Sequence, residues 1–472
     1  MQYTPVLLPF ILTDLSLYPA AFIRQMEALL GPVEWANMAA ALLEPPPVSI
    51  RLHARRAPRD PAALPLFTAG VPWHPQGRYL AERPVFTLDP LFHAGAYYVQ
   101  EASSMFVGEV LRQTGRAGQS GLRVLDMCAA PGGKTTLMYD TLGAGLMVAN
   151  EIVPQRAAVL RENTERWGIS DGAVLSADPS TFEQLPEWFD LILTDAPCSG
   201  EGMFRKDPAS IGEWSPENVT TCTLRQQNIL ESATAALAPG GLLLYSTCTY
   251  NRAENEENVL RHCKQYGLKR ISLRLPPEWG ITETDGGYQF LPHKTRGEGF
   301  FIAVLEKPAA DIGAKVTAPN QFRQIAPLPK KQAVLCAPWL AQPDSVALFT
   351  TPSGEILALP AERMADFRTL DSVFRNKWFG VPVGTLKGSD FVPAHALALS
   401  PLLSPDIPRA ELSREQALTF LKKETFDPPP AKGWVAAAFQ GLPLGWMKVL
   451  PNRMNNYLPA ERRIRMNIDA ER

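Results

Sequence analysis

Two cysteines sit in polar, glycine-rich surroundings: Cys198 within Asp195-Ala-Pro-Cys-Ser-Gly-Glu-Gly202, and Cys248 within Tyr245-Ser-Thr-Cys-Thr-Tyr250. A thiolate is a strong nucleophile, whereas a cysteine kept only for packing behaves as a small buried hydrophobe. Cys222, Cys263 and Cys336 fit the packing description. Upstream, Asp126-Met-Cys-Ala-Ala-Pro-Gly-Gly-Lys-Thr135 forms a loop of small residues ahead of a predicted helix. Such a loop lets the main chain approach a ligand at the helix N-terminus. It is not a phosphate-binding Walker loop, because glycine does not frame the spacer before Gly-Lys-Thr, and no G-x-G-x-x-G occurs. Glu151 and Asp178 each close a predicted strand. In doubly wound folds an acid after the second strand meets ribose hydroxyls, and Asp178 is placed to meet an adenine amino group. Acids at successive strand ends favour a nucleoside cofactor.

These residues need a scaffold that gathers strand ends. Between about residues 86 and 308, short apolar runs (Leu122–Cys128, Leu146–Ala149, Ala173–Ser176, Leu191–Thr194, Leu242–Tyr245, Phe300–Leu305) alternate with helical segments. One helix carries Pro154 near its start and Gly168 at its end, another spans about Leu224 to Ala238, and a third opens with Asn251 three residues before Glu254. The alternation predicts an α/β fold with a doubly wound, mostly parallel sheet. Ligands bind outside the carboxyl ends of such strands, so both thiols are expected to face one crevice.

The chain of 472 residues suggests about three domains. Lys+Arg 46 against Asp+Glu 48 excludes a basic coat, so nucleic-acid contact must rest on local patches. Candidates are Arg51, Arg55, Arg56 and Arg59, then Arg205-Lys206, then the C-terminal stretch with Trp446, Tyr457 and Arg462-Arg463-Ile-Arg465. Two of these have a plainer reading: the arginine run as a solvated surface, and the two aromatics as the core of a small β barrel. Forty-four prolines, about 9% against a typical ~5%, imply many turns and linkers. The six cysteines are never closer than fifteen residues, which excludes zinc spacing and a dense disulfide framework, and no metal is expected. The first basic residue is Arg24, so a secretory signal is not expected, and no apolar run reaches membrane-spanning length. A reduced, cytoplasmic protein is the expectation. Gly380-Val-Pro-Val-Gly-Thr-Leu-Lys387 and Gly441-Leu-Pro-Leu-Gly-Trp-Met-Lys448 share a pattern, read as two small β modules or as two chance turns.

The Cys128–Lys134 loop and the segments around Cys198 and Cys248, with Tyr97-Tyr-Val-Gln-Glu-Ala-Ser-Ser-Met105 ahead of them, resemble the RNA (cytosine-5)-methyltransferase family that uses S-adenosylmethionine. The long C-terminal extension is similar to that of the bacterial 16S rRNA (cytosine-C5)-methyltransferase branch, which carries a PUA-like RNA-binding module. The resemblance implies a Rossmann-like methyltransferase core, with Cys128, Ala129, Ala130, Pro131, Gly132, Gly133, Lys134, Glu151, Asp178 and Asp195 toward the cofactor. It also implies Cys248 as the nucleophile that adds to cytosine C6, Cys198 in the release step, and Asp195 at ring N3. Lys134 either partners the nucleophile or base, or only contacts the cofactor loop.

The expected organisation is an N-terminal α+β RNA-binding domain over 1–85, the methyltransferase core over 86–308, and a linker over 309–330. A first C-terminal β module over 331–405 and a PUA-like module over 406–472 follow. The expected partner is 16S rRNA in the small ribosomal subunit, with no membrane and a monomeric state. A tRNA cytosine-5 methyltransferase and a non-catalytic RNA-binding or ribosome-assembly factor are the alternatives.

Overall fold

A computed structural model describes residues 17–57, 67–309, 316–388 and 390–466. Arg59, six residues of the expected linker and the last six residues lie outside the described residues. The N-terminal part begins with α1 (Ala20–Leu30) and α2 (Pro32–Leu42). A four-stranded antiparallel sheet follows, made of β1 (Val48–Leu52), β2 (Phe67–Val71), β3 (His74–Leu80) and β4 (Tyr97–Val99), in the order β2-β3-β1-β4. Its last strand therefore lies beyond residue 85, within the stretch expected to belong to the core.

The central sheet is built on five parallel strands: β5 (Arg123–Asp126), β6 (Leu146–Asn150), β7 (Gly172–Leu175), β8 (Phe189–Asp195) and β9 (Leu237–Thr247). Their order, β7-β6-β5-β8-β9, reverses direction beside β5, which opens the crevice there. β10 (Tyr288–Phe290) and β11 (Phe300–Glu306) extend the sheet antiparallel beyond β9. Helices α3 (Gly133–Thr141), α4 (Pro154–Trp167), α5 (Pro216–Ala236) and α6 (Glu256–Tyr266) are interleaved with these strands. Burial on both faces explains why the parallel strands read as continuous apolar runs, with Leu125, Val148, Leu175, Ile192 and Leu243 all fully buried.

Two helix starts differ from expectation. α5 begins at Pro216 rather than Leu224, with Ser215 Oγ accepting from Asn218 N–H at 3.1 Å. Its first turns are rich in threonine and asparagine, weak helix formers that the cap and the proline at N1 compensate. α6 begins at Glu256, because Asn251 and Glu254 are spent on a turn: Asn251 Oδ1 accepts from Glu254 N–H at 2.9 Å.

At the other edge, β12 (Lys377–Phe379) pairs antiparallel with β7. This strand comes from the C-terminal half of the chain. The described part of residues 309–330 is also packed rather than free, since Val316, Phe322 and Ile325 lie half-buried on the core. The two Gly-Pro-Gly echoes become strands Val381–Lys387 and Leu442–Leu450 of two separate sheets. Each is bulged at the same point: Val383 is skipped between Pro382 and Gly384, and Leu444 between Pro443 and Gly445. Trp446 is fully buried between these modules, its indole N–H donating to Ala394 O at 2.8 Å. Of its two readings, core is the one the structure gives; Tyr457 is partly exposed.

Candidate active site

The crevice at the carboxyl ends of β5 and β8 brings the loop and the thiol segments together. Gly132 takes a left-handed conformation (φ 106°) as the N-cap of α3, and a Cβ there would meet Leu160 at 3.1 Å. Ala129 N–H donates to Asn150 O at 2.8 Å, which ties the loop to the end of β6. The cleft beside the loop is lined by Tyr98, Gln100, Asp126, Cys128–Pro131, Gly133, Lys134 and Asp195. Asp126 is buried at its base, where Oδ2 accepts from Thr135 Oγ1 at 2.6 Å while Oδ1 has no protein partner. Burial pushes its pKa up to about 7, against the pull of the Thr135 bond, and nearby Asp195 adds to the rise.

Glu151 and Asp178 stand at the ends of β6 and β7, but neither lines this cleft. Glu151 Oε1 accepts from Val153 N–H at 3.0 Å, and Oε2 pairs with Arg156 at 3.2 Å. Asp178 is exposed and accepts from Ser180 N–H and Oγ at 2.9 and 2.7 Å.

Across the crevice, Lys134 Nζ donates to Asp195 Oδ2 at 2.7 Å, and Ser246 Oγ donates to Oδ1 at 2.7 Å. Burial opposes the Lys134 charge, but Asp195, Asp126 and Cys248 together leave its pKa above the ordinary value. Cys198 and Cys248 face each other with their sulfurs 3.1 Å apart, and Cys248 N–H donates to Cys198 Sγ at 3.3 Å. The hydrogen bond to Cys248 and then burial push the Cys198 thiol well up. Cys198 is therefore held as a thiol, and Lys134 lies within electrostatic reach of Cys248. Cys128 sits within the loop as a thiol whose pKa burial raises.

Two carboxylates hold the thiol loops, and the sequence reading missed both. Glu201 and Glu254 are fully buried. Glu201 accepts from Gln25 Nε2 (2.8 Å) and Trp214 Nε1 (3.0 Å), from Tyr250 N–H (2.8 Å), and from the main chain and side chain of Asn251 (both 3.0 Å). Glu254 accepts from Ser199 N–H (3.0 Å) and Oγ (2.5 Å), Gln226 Nε2 (2.7 Å) and Asn251 Nδ2 (2.7 Å). Burial raises the Glu254 pKa, and these donors pull it back. Gly202 seals the junction: its N–H donates to Cys248 O at 2.8 Å, and a Cβ there would lie 2.8 Å from that oxygen. The available signal was position: Glu201 follows Cys198 by three residues and Glu254 follows Cys248 by six.

The basic patches need correction. Arg51 is 1% exposed and is neither solvated surface nor an RNA contact. Its guanidinium donates to Gln100 Oε1 (2.8 Å), Thr136 Oγ1 (2.7 Å) and Asp140 Oδ2 (2.8 Å), and lies 4.6 Å from the centroid of the Trp167 ring. Arg56 donates to Arg166 O at 2.9 Å and to Leu399 O. Arg205 is buried against Glu298 at 2.9 Å; Arg55 and Lys206 remain exposed. A second cleft, between the N-terminal sheet and the core, shares Val99, Gln100 and Glu101 with the first and carries Arg83, Lys206, Lys294 and Arg296. Among the described residues no cluster suits a metal ion, and no helix is long and apolar enough to cross a membrane.

Known proteins match this architecture along most of its length. Residues 117–306 match the model of 16S rRNA methyltransferase RsmB/F, residues 18–102 the N-terminal domain of 16S rRNA methyltransferase RsmF, and residues 408–464 the methyltransferase RsmF PUA domain. Among solved structures, a methyltransferase homolog protein from Pyrococcus horikoshii aligns with TM-score 0.54 and 27% identity, covering 62% of this chain and 97% of its own. NSun6 from the same organism aligns with TM-score 0.52 at 21% identity, over 62% and 99%. Ribosomal RNA small subunit methyltransferase F of Serratia proteamaculans is 32% identical over 78% of each chain. Its counterpart in Salmonella agona is 31% identical over 94% of this chain and 96% of its own. With that identity along nearly the whole of both chains, the protein belongs to the RsmB/F family of 16S rRNA methyltransferases.

Proposed function

We propose that the protein methylates C5 of cytosine in 16S rRNA, using S-adenosylmethionine and a transient bond between Cys248 and C6. The observation that carries this reading is the pair of thiols 3.1 Å apart beside the Lys134–Asp195 ion pair, which itself lines the loop cleft. The residues of the cleft suit the cofactor: the buried Asp126 Oδ1 lacks a donor that an α-ammonium group provides, and the small-residue loop leaves its main chain accessible. When bound, the cofactor supplies an electrophilic methyl on sulfonium sulfur. Cys128 to Lys134 would hold it, with Glu151 and Asp178 at the adjoining strand ends.

Cytosine C5 is a poor nucleophile until a thiolate adds to C6. Cys248 makes that bond, aided by the nearby Lys134 charge; the thiol proton it gives up is taken by the Asp195 carboxylate, which then donates it at N3 to raise C6 electrophilicity. Once C5 carries the methyl group, its proton leaves to a base, the C6–S bond breaks, and the electron pair returns to Cys248. Cys198 assists this release. The target base must leave its stack to reach the thiols.

The reading extends to RNA held between the N-terminal sheet and the core, a PUA-like RNA-binding module at the C-terminal end, and a cytoplasmic monomer acting on the small subunit. Its test is methylation of small-subunit RNA followed by bisulfite mapping. Bisulfite-resistant cytosines found only in tRNA, or none at all, would overturn it.

A further inference from the structure

A cavity of about 390 Å³ opens where the C-terminal end of α4 meets the last module. Arg166 lines it from α4, His395 from the module between, and Arg462, Arg463 and Arg465 from the tail. Arg166 is half-buried, yet among the described residues it forms no ion pair with a carboxylate. Its Nη2 donates to the neutral Asn163 Oδ1 at 2.7 Å, and its guanidinium carbon lies 4.2 Å from the centroid of the Phe92 ring. The acid one residue away, Glu165, is taken at one oxygen by Arg161 (2.7 Å) and at the other by Arg462. Glu162 and Glu461 also reach the cavity; the Glu162 charge acts on Arg166 but forms no ion pair with it, and the Arg462 charge opposes it. Arg463 and Arg465 are exposed at the opening and have no described partner. The histidines add no charge of their own: burial pushes His93 down to about 4 and His395 well below its ordinary value.

We propose that this cavity binds a backbone phosphate of the RNA, which serves as the counter-ion Arg166 lacks, with Arg463 and Arg465 closing over it. The inference rests on the RNA substrate proposed above. Arg166 lies one turn along α4 from Asn163, whose Nδ2 also donates to Pro131 O of the cofactor loop at 2.7 Å. The cavity shares no lining residue with the cleft beside the cofactor loop, so a phosphate held there sets RNA affinity.

The test compares Arg463→Gln/Arg465→Gln and Arg166→Gln with a control, Lys330→Gln/Lys331→Gln, which removes two exposed charges elsewhere. Binding of a 16S rRNA fragment is measured across a salt series, with kcat at saturating RNA alongside. The cavity variants should bind RNA about tenfold or more weakly, and for each phosphate left without its arginine the log–log salt slope should fall by ~0.7–0.9. Their kcat should stay within about twofold of the unaltered protein, and the control should bind normally. Cavity variants that bind as tightly as the unaltered protein, or a control weakened as much as they are, would overturn the site. Should Arg166→Gln fail to fold, the double variant at the surface decides alone. The two readings fail separately: an unaltered protein that binds RNA but methylates no cytosine defeats the activity, whereas normal methylation with unchanged cavity variants defeats only the cavity.

Discussion

On the thiol side of the crevice the loops converge on buried carboxylates; on the cofactor side they converge on a buried guanidinium. Glu201 and Glu254 gather main-chain N–H groups of Ser199, Tyr250 and Asn251, which no sheet or helix bond satisfies. Arg51 gathers side chains instead: Gln100 beside β4, and Thr136 and Asp140 on α3. The difference follows from what each group offers. Irregular loops present unused donors, so an acceptor-only carboxylate organises them. A helix has already spent its inner main-chain carbonyls, so a donor-only guanidinium must find side-chain acceptors on its surface. Each half of the site is thus positioned by a charge of the sign its local backbone requires.

The comparison can be broken most severely at the reacting groups. Cys248→Ala should lower methylation by at least about 10⁴-fold and yield no covalent RNA adduct on denaturing gels, whereas Cys198→Ala should accumulate that adduct. An active Cys248→Ala enzyme would reverse the roles of the two thiols. Next, Asp195→Asn removes the Lys134 ion pair and the proton for N3. A loss of about 10²–10⁴-fold in kcat is expected, with RNA affinity unchanged in filter binding.

The two anchors should then separate. Glu254→Gln turns an amide N–H₂ toward donors, and should cost about 2–4 kcal/mol of stability in denaturant unfolding while lowering kcat and leaving the KM for cofactor alone. Arg51→Lys keeps the charge but loses the fork, and should raise the KM for cofactor about tenfold, equivalent to about 1.4 kcal/mol, with kcat nearly constant. If both variants moved the same parameter, the division of the crevice would be wrong.

The smallest effect concerns pH. The folded pKa of Asp126, about 7, lies above its ordinary 3.8. An acid shifted upward contributes its full stability below about pH 4 and loses it as pH rises through about 7. Asp126→Asn should therefore flatten the fall of the thermal midpoint across that window, measured without cofactor. A variant whose midpoint falls with pH as steeply as the unaltered protein would assign the dependence to other groups.

The parallel sheet was legible because strands buried on both faces leave continuous apolar runs, and the thiols were legible because glycine, proline and acid surround them where core would be apolar. What could not be read was pairing at a distance. Arg51 meets Asp140 across 89 positions and Arg205 meets Glu298 across 93, so in sequence they looked like solvent-facing charge. Asn251 resembled a helix cap, but its amide serves Glu201 and Glu254. β12 gave no signal, being three residues long with only its partner's edge to define it.

That short strand bears on how the protein is made. Until Lys377–Phe379 is in place, the outer edge of β7 carries unpaired N–H and C=O groups, the kind of edge that recruits strands from other chains. A ribosome delivers residue 377 about 200 residues after it has delivered β7, roughly 10–40 s at common elongation rates. For that interval the methyltransferase sheet is unfinished at one side, and a chain ended at residue 308 would remain so. The enzyme is a single co-translational unit, whose first half waits for its second before it is safe from aggregation.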